Sequence, residues 1–407
     1  MSAQTVLSWA RTLPRTYREG TPEPAIARIR FPLFALYRTE EEWVGTAAGL
    51  DTIRRGALRR THRDTHGRRR RPPVQRTRNR KDTDVDYTRL GSTGLKVSRL
   101  ALGCMSYGDP TSPNAHPWAL NDNDAQPFFR QAVELGVTFW DTANVYQQGT
   151  SEELVGRAIT RYSRREDIVL ATKVRGKMHD GPGGEGLSRK AILEQIDASL
   201  ARLGTDYIDL YQIHRFDPAT PVEETMEALH DIVKAGKVRY IGASSMYAWQ
   251  FAKMQHAADL GGWTRFVSMQ NQYNLLRRQD ERELMAMCGD MEVGLVPYSP
   301  QGKGRLARPW GEQTHRSSSD KVVQAFDSSY DEPVVNAVQH VAEARGATMA
   351  QIALAWVLHN PLVSAPIVGA TKPHHLPEAV AALDLHLTDD EIRTLEELYT
   401  QHGPSWY

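Results

Sequence analysis

The 407-residue chain has only two cysteines, Cys104 and Cys288, too few and too far apart for a disulfide framework or a metal-binding knuckle. It has no run of 18 apolar residues, so no apolar membrane-spanning helix is expected. The start lacks the basic-then-apolar layout of a secretory signal, since Leu7 to Leu13 is interrupted by Ser8 and Arg11. The cytoplasm is the expected compartment, with no membrane partner. Lysine is almost missing from the first 85 residues, where Lys81 stands alone among many arginines. The histidine and carboxylates at the strand ends described below lack the His-x-x-x-His spacing of a metal site, and no metal is expected.

The net charge of +1 hides an asymmetry. Residues 1–85 hold 19 Lys/Arg against 9 Asp/Glu, which leaves 31 basic and 40 acidic side chains for the rest, a net charge near −9. An acidic body repels polyphosphate, so no nucleic-acid partner is expected. Between Arg54 and Arg80 there are twelve arginines and one acid, Asp64, with no apolar periodicity. Such a stretch buries too little to offset the entropy of ordering it. Residues 1–85 are therefore read as a basic, low-order, disordered extension, and 86–407 as the folded domain.

Order begins near Tyr87. "YTRLGSTGLKVSRLALG" alternates on either side of a glycine-bounded turn at 91–94, the pattern of a β-hairpin. Strands then alternate with amphipathic helices. Strands are expected at Leu100–Leu102, Thr138–Trp140, Ile168–Ala171, Ile208–Ile213, Tyr240–Gly242, Phe266–Met269, Val293–Val296 and Ala365–Val368. Helices are expected near 122–135, 151–162, 188–202, 221–235, 247–260, 280–289, 333–345 and 374–382. Eight such units predict an α/β fold, a (β/α)8 TIM barrel with an N-terminal β-hairpin. A doubly wound sheet is disfavoured, because "ALGCMSYG" is not a G-x-G-x-x-G turn opening a helix.

A barrel of this kind places its chemistry at the C-terminal ends of its strands. Asp141, Lys173 and His214 fall there, with Tyr146 in the loop after Asp141. A phenol has an ordinary pKa of about 10. A nearby lysine favours the phenolate and makes the phenol a better proton donor to a developing alkoxide. Asp141 can pair with Lys173, and His214 can hydrogen-bond a carbonyl oxygen. These groups supply no electrons, so a hydride donor must bind. "VPYSPQGKGRLARPW" offers Tyr298 to stack on a nicotinamide ring, then Ser299 and a glycine-rich turn with Lys303 and Arg305 for a pyrophosphate. Ser244 and Gln270 are placed for the carboxamide. "VGATKPHHLPEAV" sets Thr371 and Lys372 before a helix starting close to His374, which suits a ribose phosphate. Tyr107 and Trp118 suggest an aromatic-lined mouth, or equally a pair of rings packed under the loop.

"LGSTGLKVSRLALGCMSYG", "FWDTANVY", "LATK", "LGTDYIDLYQIH", "YIGASS", "MQNQYNLL", "PYSPQGKGRL" and "APIVGATKPHHL" together resemble the aldo-keto reductases, from about Tyr87 to Leu398. The resemblance implies carbonyl-to-alcohol reduction of a small-molecule substrate by NADPH, with NADH as the alternative. It assigns catalysis to Asp141, Tyr146, Lys173 and His214, with Tyr146 as proton donor. It assigns cofactor binding to Ser244, Gln270, Tyr298, Ser299, Gln301, Gly302, Lys303, Arg305, Gly369, Thr371, Lys372 and His375. "TSEELVGRAI", "YIGASSMYAWQ" and the insertion at 303–332 look like the bacterial branch related to potassium-channel beta subunits. That branch brings an alternative function, a redox-sensing accessory subunit that binds NADP(H) with little turnover. A homo-oligomer is compatible with either.

Several positions depart from the family's pattern. Ser245 stands where asparagine is usual, His375 where many NADPH-dependent members have arginine, and Ala379 where asparagine often holds the adenine. Trp140 replaces a common phenylalanine and is expected in the core. Gln301 takes a usually apolar loop position, where it can meet either the cofactor or the substrate.

Overall fold

The computed structural model describes residues 85–113, 115–312 and 329–401. The basic extension and residues 313–328 of the insertion lie outside the described residues.

Two short strands, β1 (Tyr87–Arg89) and β2 (Lys96–Ser98), pair antiparallel with Tyr87 opposite Ser98, the hairpin expected from the sequence. Eight parallel strands follow: β3 (Ala101–Gly103), β4 (Phe139–Asp141), β5 (Val169–Val174), β6 (Ile208–Ile213), β7 (Val238–Ser244), β8 (Phe266–Gln270), β9 (Gly294–Leu295) and β10 (Ile367–Gly369). They are ordered β10-β3-β4-β5-β6-β7-β8-β9. Bridges Leu295–Val363 and Tyr298–Ile367 join the two edges, so the sheet closes into a (β/α)8 barrel.

The helices are α1 (Asp122–Glu134), α2 (Thr150–Tyr162), α3 (Arg189–Leu203), α4 (Val222–Lys234), α5 (Ala248–Gly261), α6 (Leu284–Asp290), α7 (Glu332–Arg345), α8 (Met349–His359), α9 (His375–Ala381) and α10 (Asp389–Glu396). Local chemistry sets their ends. Ser188 accepts the Ala191 N–H at the start of α3, and Gly204, at φ 63°, ends it. Helix α8 was not expected from the sequence. Its residues Ile352, Ala353, Leu354, Ala355, Trp356 and Val357 are all buried, so no polar stripe marks a helical period. Its signal is the capping box of Thr348 with Gln351.

Side chains alternate across each strand. Leu102, Trp140, Leu170, Tyr211, Ile241 and Val368 belong to the large core cluster under the helices. Trp140 is fully buried there and donates from Nε1 to Val137 O at 2.9 Å. Ala101, Phe139, Ala171, Leu210, Val296 and Ile367 form a second cluster with Leu90 and Val97 of the hairpin. The hairpin thus stoppers the barrel at the strands' N-terminal end. At Gly91 (φ 57°) an added Cβ would lie 2.4 Å from Glu292 O, so only glycine permits the approach. The other glycine that matters is Gly156, where a Cβ would meet Leu203 O at 2.3 Å and hold α2 off α3.

Glu152 ties this wall together. It is fully buried at the start of α2, receives Thr172 Oγ1 at 2.5 Å, and pairs with Arg202 Nε at 2.7 Å. It thereby fixes α2 to β5 and α3 just behind Lys173.

Candidate active site

Moving two residues along a strand keeps the same face, so the polar layer follows from the apolar one. Phe139 leads to Asp141, Ala171 to Lys173, Leu210 to Gln212 and then His214. At the C-terminal end, the barrel interior therefore changes from hydrocarbon to a hydrogen-bonded cluster.

Lys173 is completely buried. An ammonium has three hydrogens to donate, and all three are used: Asp141 Oδ1 at 2.5 Å, Thr142 O at 2.9 Å and Tyr146 Oη at 3.2 Å. Burial alone would lower its pKa, but Asp141 and Tyr146 outweigh burial and raise it. The lysine therefore remains a cation. Because it can only donate, Tyr146 Oη accepts, and the phenol's own hydrogen is free to point into the mouth.

Asp141 caps no helix. Its Oδ1 takes Lys173, and its Oδ2 takes Gln212 Nε2 at 2.8 Å and Gln270 Nε2 at 2.9 Å. Gln270 also donates to Gln212 Oε1 at 3.1 Å. The amide nitrogen of Gln270 is thus committed to the aspartate. Gln212 went unnoticed in the sequence; its position two residues before His214, on the same inward face, was the available signal.

Tyr146 is placed by a rare backbone run. Gln147, Gln148 and Gly149 follow it at φ 43°, 54° and 94°, all left-handed. Gln147 Nε2 donates to Met105 O at 3.0 Å, and Thr150 Oγ1 to Gln147 O at 2.9 Å, which holds the turn. The Tyr146 and His214 rings meet edge to face at 5.7 Å. Lysine was expected to ease ionisation of the phenol. Burial proves the larger influence and raises the Tyr146 pKa above 10.0, with Lys173 opposing and Asp141 reinforcing it. Burial, then Lys173, Arg215 and Arg175, push His214 well below 6.5, so its ring is neutral.

The segments expected to hold a dinucleotide lie at the ends of β7 to β10. Ser244 and Ser245 are buried, with their hydroxyls 3.3 Å apart, and Ser245 Oγ donates to Tyr298 Oη at 3.3 Å. Ser245 sits at φ 47°, a conformation asparagine tolerates better than serine, which rationalises asparagine at that position. Tyr298 is half-buried, and burial pushes its hydroxyl up to about 12. Beyond it, Ser299, Gly302, Lys303 and Gly304 all have positive φ and coil the chain into a tight turn. Gln301 donates to Ala350 O at 3.4 Å, and Arg305 stacks on Trp310 at 4.9 Å. Arg308 has a lowered pKa, first from burial, with Glu312 opposing the shift and Arg305 adding to it. Two guanidinium groups, Arg305 and the extended Arg308, directly after a left-handed turn suit a polyphosphate.

After β10, the strand bridged to Tyr298, Gly369 and Lys372 are exposed, with Thr371 and His375 half-buried. His375 Nδ1 accepts the Thr371 N–H at 3.2 Å, so in the neutral ring Nε2 is the donor. Helix α9 begins at His375 and is only seven residues long. Ala379 is buried. Tyr107 does not line the mouth: it is fully buried and donates to Ala370 O at 2.8 Å. Trp118 is half-buried and stacks on His116 at 4.6 Å.

Residues 99–400 match the Aldo/keto reductase family. The chain is 44% identical over 338 residues to versiconal hemiacetal acetate reductase of Aspergillus parasiticus, covering 77% of this chain and 97% of that protein. It is 40% identical over 339 residues to a putative aryl-alcohol dehydrogenase of Saccharomyces cerevisiae, covering 77% and 97%. A putative aryl-alcohol dehydrogenase of Schizosaccharomyces pombe is 42% identical over 341 residues, covering 77% and 95%. These relatives are fungal, and none carries the bacterial or channel-subunit association suggested by the sequence signatures. The chain belongs to the aldo/keto reductase family and is an oxidoreductase of that family.

Proposed function

We propose that the protein reduces an aldehyde or ketone to an alcohol, reversibly, with Tyr146 as general acid and NADPH as the preferred dinucleotide. The observation that carries this reading is the hydrogen-bonded line Asp141–Lys173–Tyr146. The reduced dinucleotide, when bound, supplies a hydride to the carbonyl carbon. His214, neutral, donates an N–H to the carbonyl oxygen and orients it. Tyr146 gives its proton to that oxygen as negative charge develops there. Lys173 then stabilises the phenolate through the hydrogen bond it already makes, and Asp141 holds the lysine in place. Ser244, Tyr298 and the turn from Ser299 to Arg305, including Gln301, Gly302 and Lys303, would bind the nicotinamide half and the pyrophosphate. Gly369, Thr371, Lys372 and His375 would meet the ribose phosphate. Since His375 uses Nδ1 as an acceptor, Lys372 is the cation that would favour NADPH over NADH.

The test is a panel of aromatic and aliphatic aldehydes, ketones and sugars followed by NADPH and NADH absorbance, with aryl aldehydes first because of the relatives' names. Consumption of NADPH with at least one carbonyl is expected. Tight NADP(H) binding with no turnover would instead favour the nucleotide-sensing accessory role.

The pH dependence follows from the two directions of shift. With Tyr146 held above 10.0 and His214 well below 6.5, both stay in their working forms between those values. The kcat/KM for reduction should be flat across that interval. A limb falling near pH 6.5 would contradict a neutral His214.

A further inference from the structure

Arg175, the residue after β5, has no part in the reaction above, yet its surroundings are specialised. Its backbone sits at φ 119°, where an L-residue is strained. The Gly186 N–H donates to its carbonyl at 3.0 Å, which pins the turn. At the next residue, Gly176, an added Cβ would lie 2.6 Å from Val145 Cβ. Val145 precedes Tyr146, so the turn carrying Arg175 rests directly on the turn carrying the proposed acid.

The guanidinium is half-buried, and its Nε is buried without a hydrogen-bond partner among the described residues. Asp217 is the acid within its field. That carboxylate, however, is taken by the Leu187 N–H at 2.8 Å, the Ala219 N–H at 3.0 Å and the Thr220 hydroxyl at 2.8 Å, with no ion pair to Arg175. His214 also feels the charge of Arg175, after those of Lys173 and Arg215. A strained backbone and an orphan charged donor at the same residue are costly to a fold and tend to mark a binding role. The strand order gives the side of the mouth. Strand β5 lies between β4 and β6, which carry Asp141 and lead to His214, and is not a neighbour of β7 to β10, whose ends are proposed to bind the dinucleotide.

We propose that Arg175 is a specificity-determining residue that receives a carboxylate carried by the substrate. The two terminal Nη groups of a guanidinium form a planar fork that matches the two oxygens of a carboxylate, and here they are the end left to a ligand, since Nε is buried. The protein then favours carboxylated aldehydes and ketones over neutral analogues of the same shape. This rests on the reductase reading above.

The experiment compares 4-carboxybenzaldehyde with its methyl ester, and 4-oxobutanoate with its methyl ester, using the full chain and NADPH or NADH. In the wild type, kcat/KM should favour each carboxylate by roughly 10- to 100-fold, the scale of a hydrogen bond to a charged group, and the difference should lie mainly in KM. Arg175→Gln should abolish that ratio and Arg175→Lys should keep part of it. Arg175→Gly, which suits the backbone at φ 119°, should abolish it without lowering the melting temperature. With the wild type alone, benzoate should compete with benzaldehyde better than benzamide does. A wild-type ratio near one with active reduction of the esters, a ratio unchanged in the glutamine and glycine variants, or benzamide competing as well as benzoate would each overturn the assignment while leaving the reductase reading intact. Failure of the wild type to reduce any of the four carbonyls or benzaldehyde would overturn both.

Discussion

Replacing Tyr146 with phenylalanine is expected to lower carbonyl reduction by at least about 100-fold, the contribution of a positioned general acid. The substitution is a clean one. The ring stays in place against His214, and the left-handed run at Gln147 and Gln148 that aims it is untouched. What disappears is one oxygen, which accepts from Lys173 and donates its own hydrogen toward the mouth. Dinucleotide binding, measured by fluorescence quenching, should change little, because the groups proposed to hold the cofactor lie on β7 to β10. Stability should fall by about 1–3 kcal/mol, since the third N–H of a buried ammonium loses its acceptor. Near-wild-type turnover in a folded Tyr146→Phe protein would remove the tyrosine from the mechanism.

The sequence made the barrel legible because strands and helices alternated with clear periods, and because glycines and caps punctuated them. It hid α8 for the opposite reason: "MAQIALAWVLH" is buried on all sides, and burial on all sides erases periodicity. Strand β9 is shorter than expected, with only Gly294 and Leu295 in regular register, although the Val296 N–H still donates to Met269 O at 2.9 Å. In the site, Asp141, Lys173 and His214 could be found as charged or titratable residues at strand ends. Gln212 and Arg175 could not be found so easily. A glutamine inside an apolar strand looks neutral until its partner is known, and the meaning of Arg175 lies in a backbone angle and a missing partner. The direction of the tyrosine's shift was misjudged because linear sequence shows which charges are near but not how completely a side chain is desolvated.

Substitution at Asp141 is expected to separate stability from chemistry. Asp141→Ala removes the carboxylate but leaves the Lys173 ammonium fully buried, with two of its three acceptors. It also strands the amide nitrogens of Gln212 and Gln270, although Gln270 keeps its bond to Gln212. Breaking a buried pair from one side costs about 3–5 kcal/mol, because an uncompensated charge stays behind. Activity should fall with it, since nothing then fixes the lysine against Tyr146. Asp141→Asn keeps the shape and one acceptor oxygen, and should cost less stability while still impairing turnover. The informative partner is the double substitution Asp141→Ala with Lys173→Met, which removes both charges and fills the lysine's space with an unbranched apolar chain. It should recover much of the stability lost in Asp141→Ala, because the buried cation has gone, yet recover no reductase activity. Urea unfolding midpoints and NADPH consumption on the three proteins read the two quantities independently. If the double variant is no more stable than Asp141→Ala, the cost is lost packing and amide bonding around Gln212 rather than a buried charge. If it regains activity, the lysine does not act on the tyrosine, and the hydrogen bond at 3.2 Å between them is incidental.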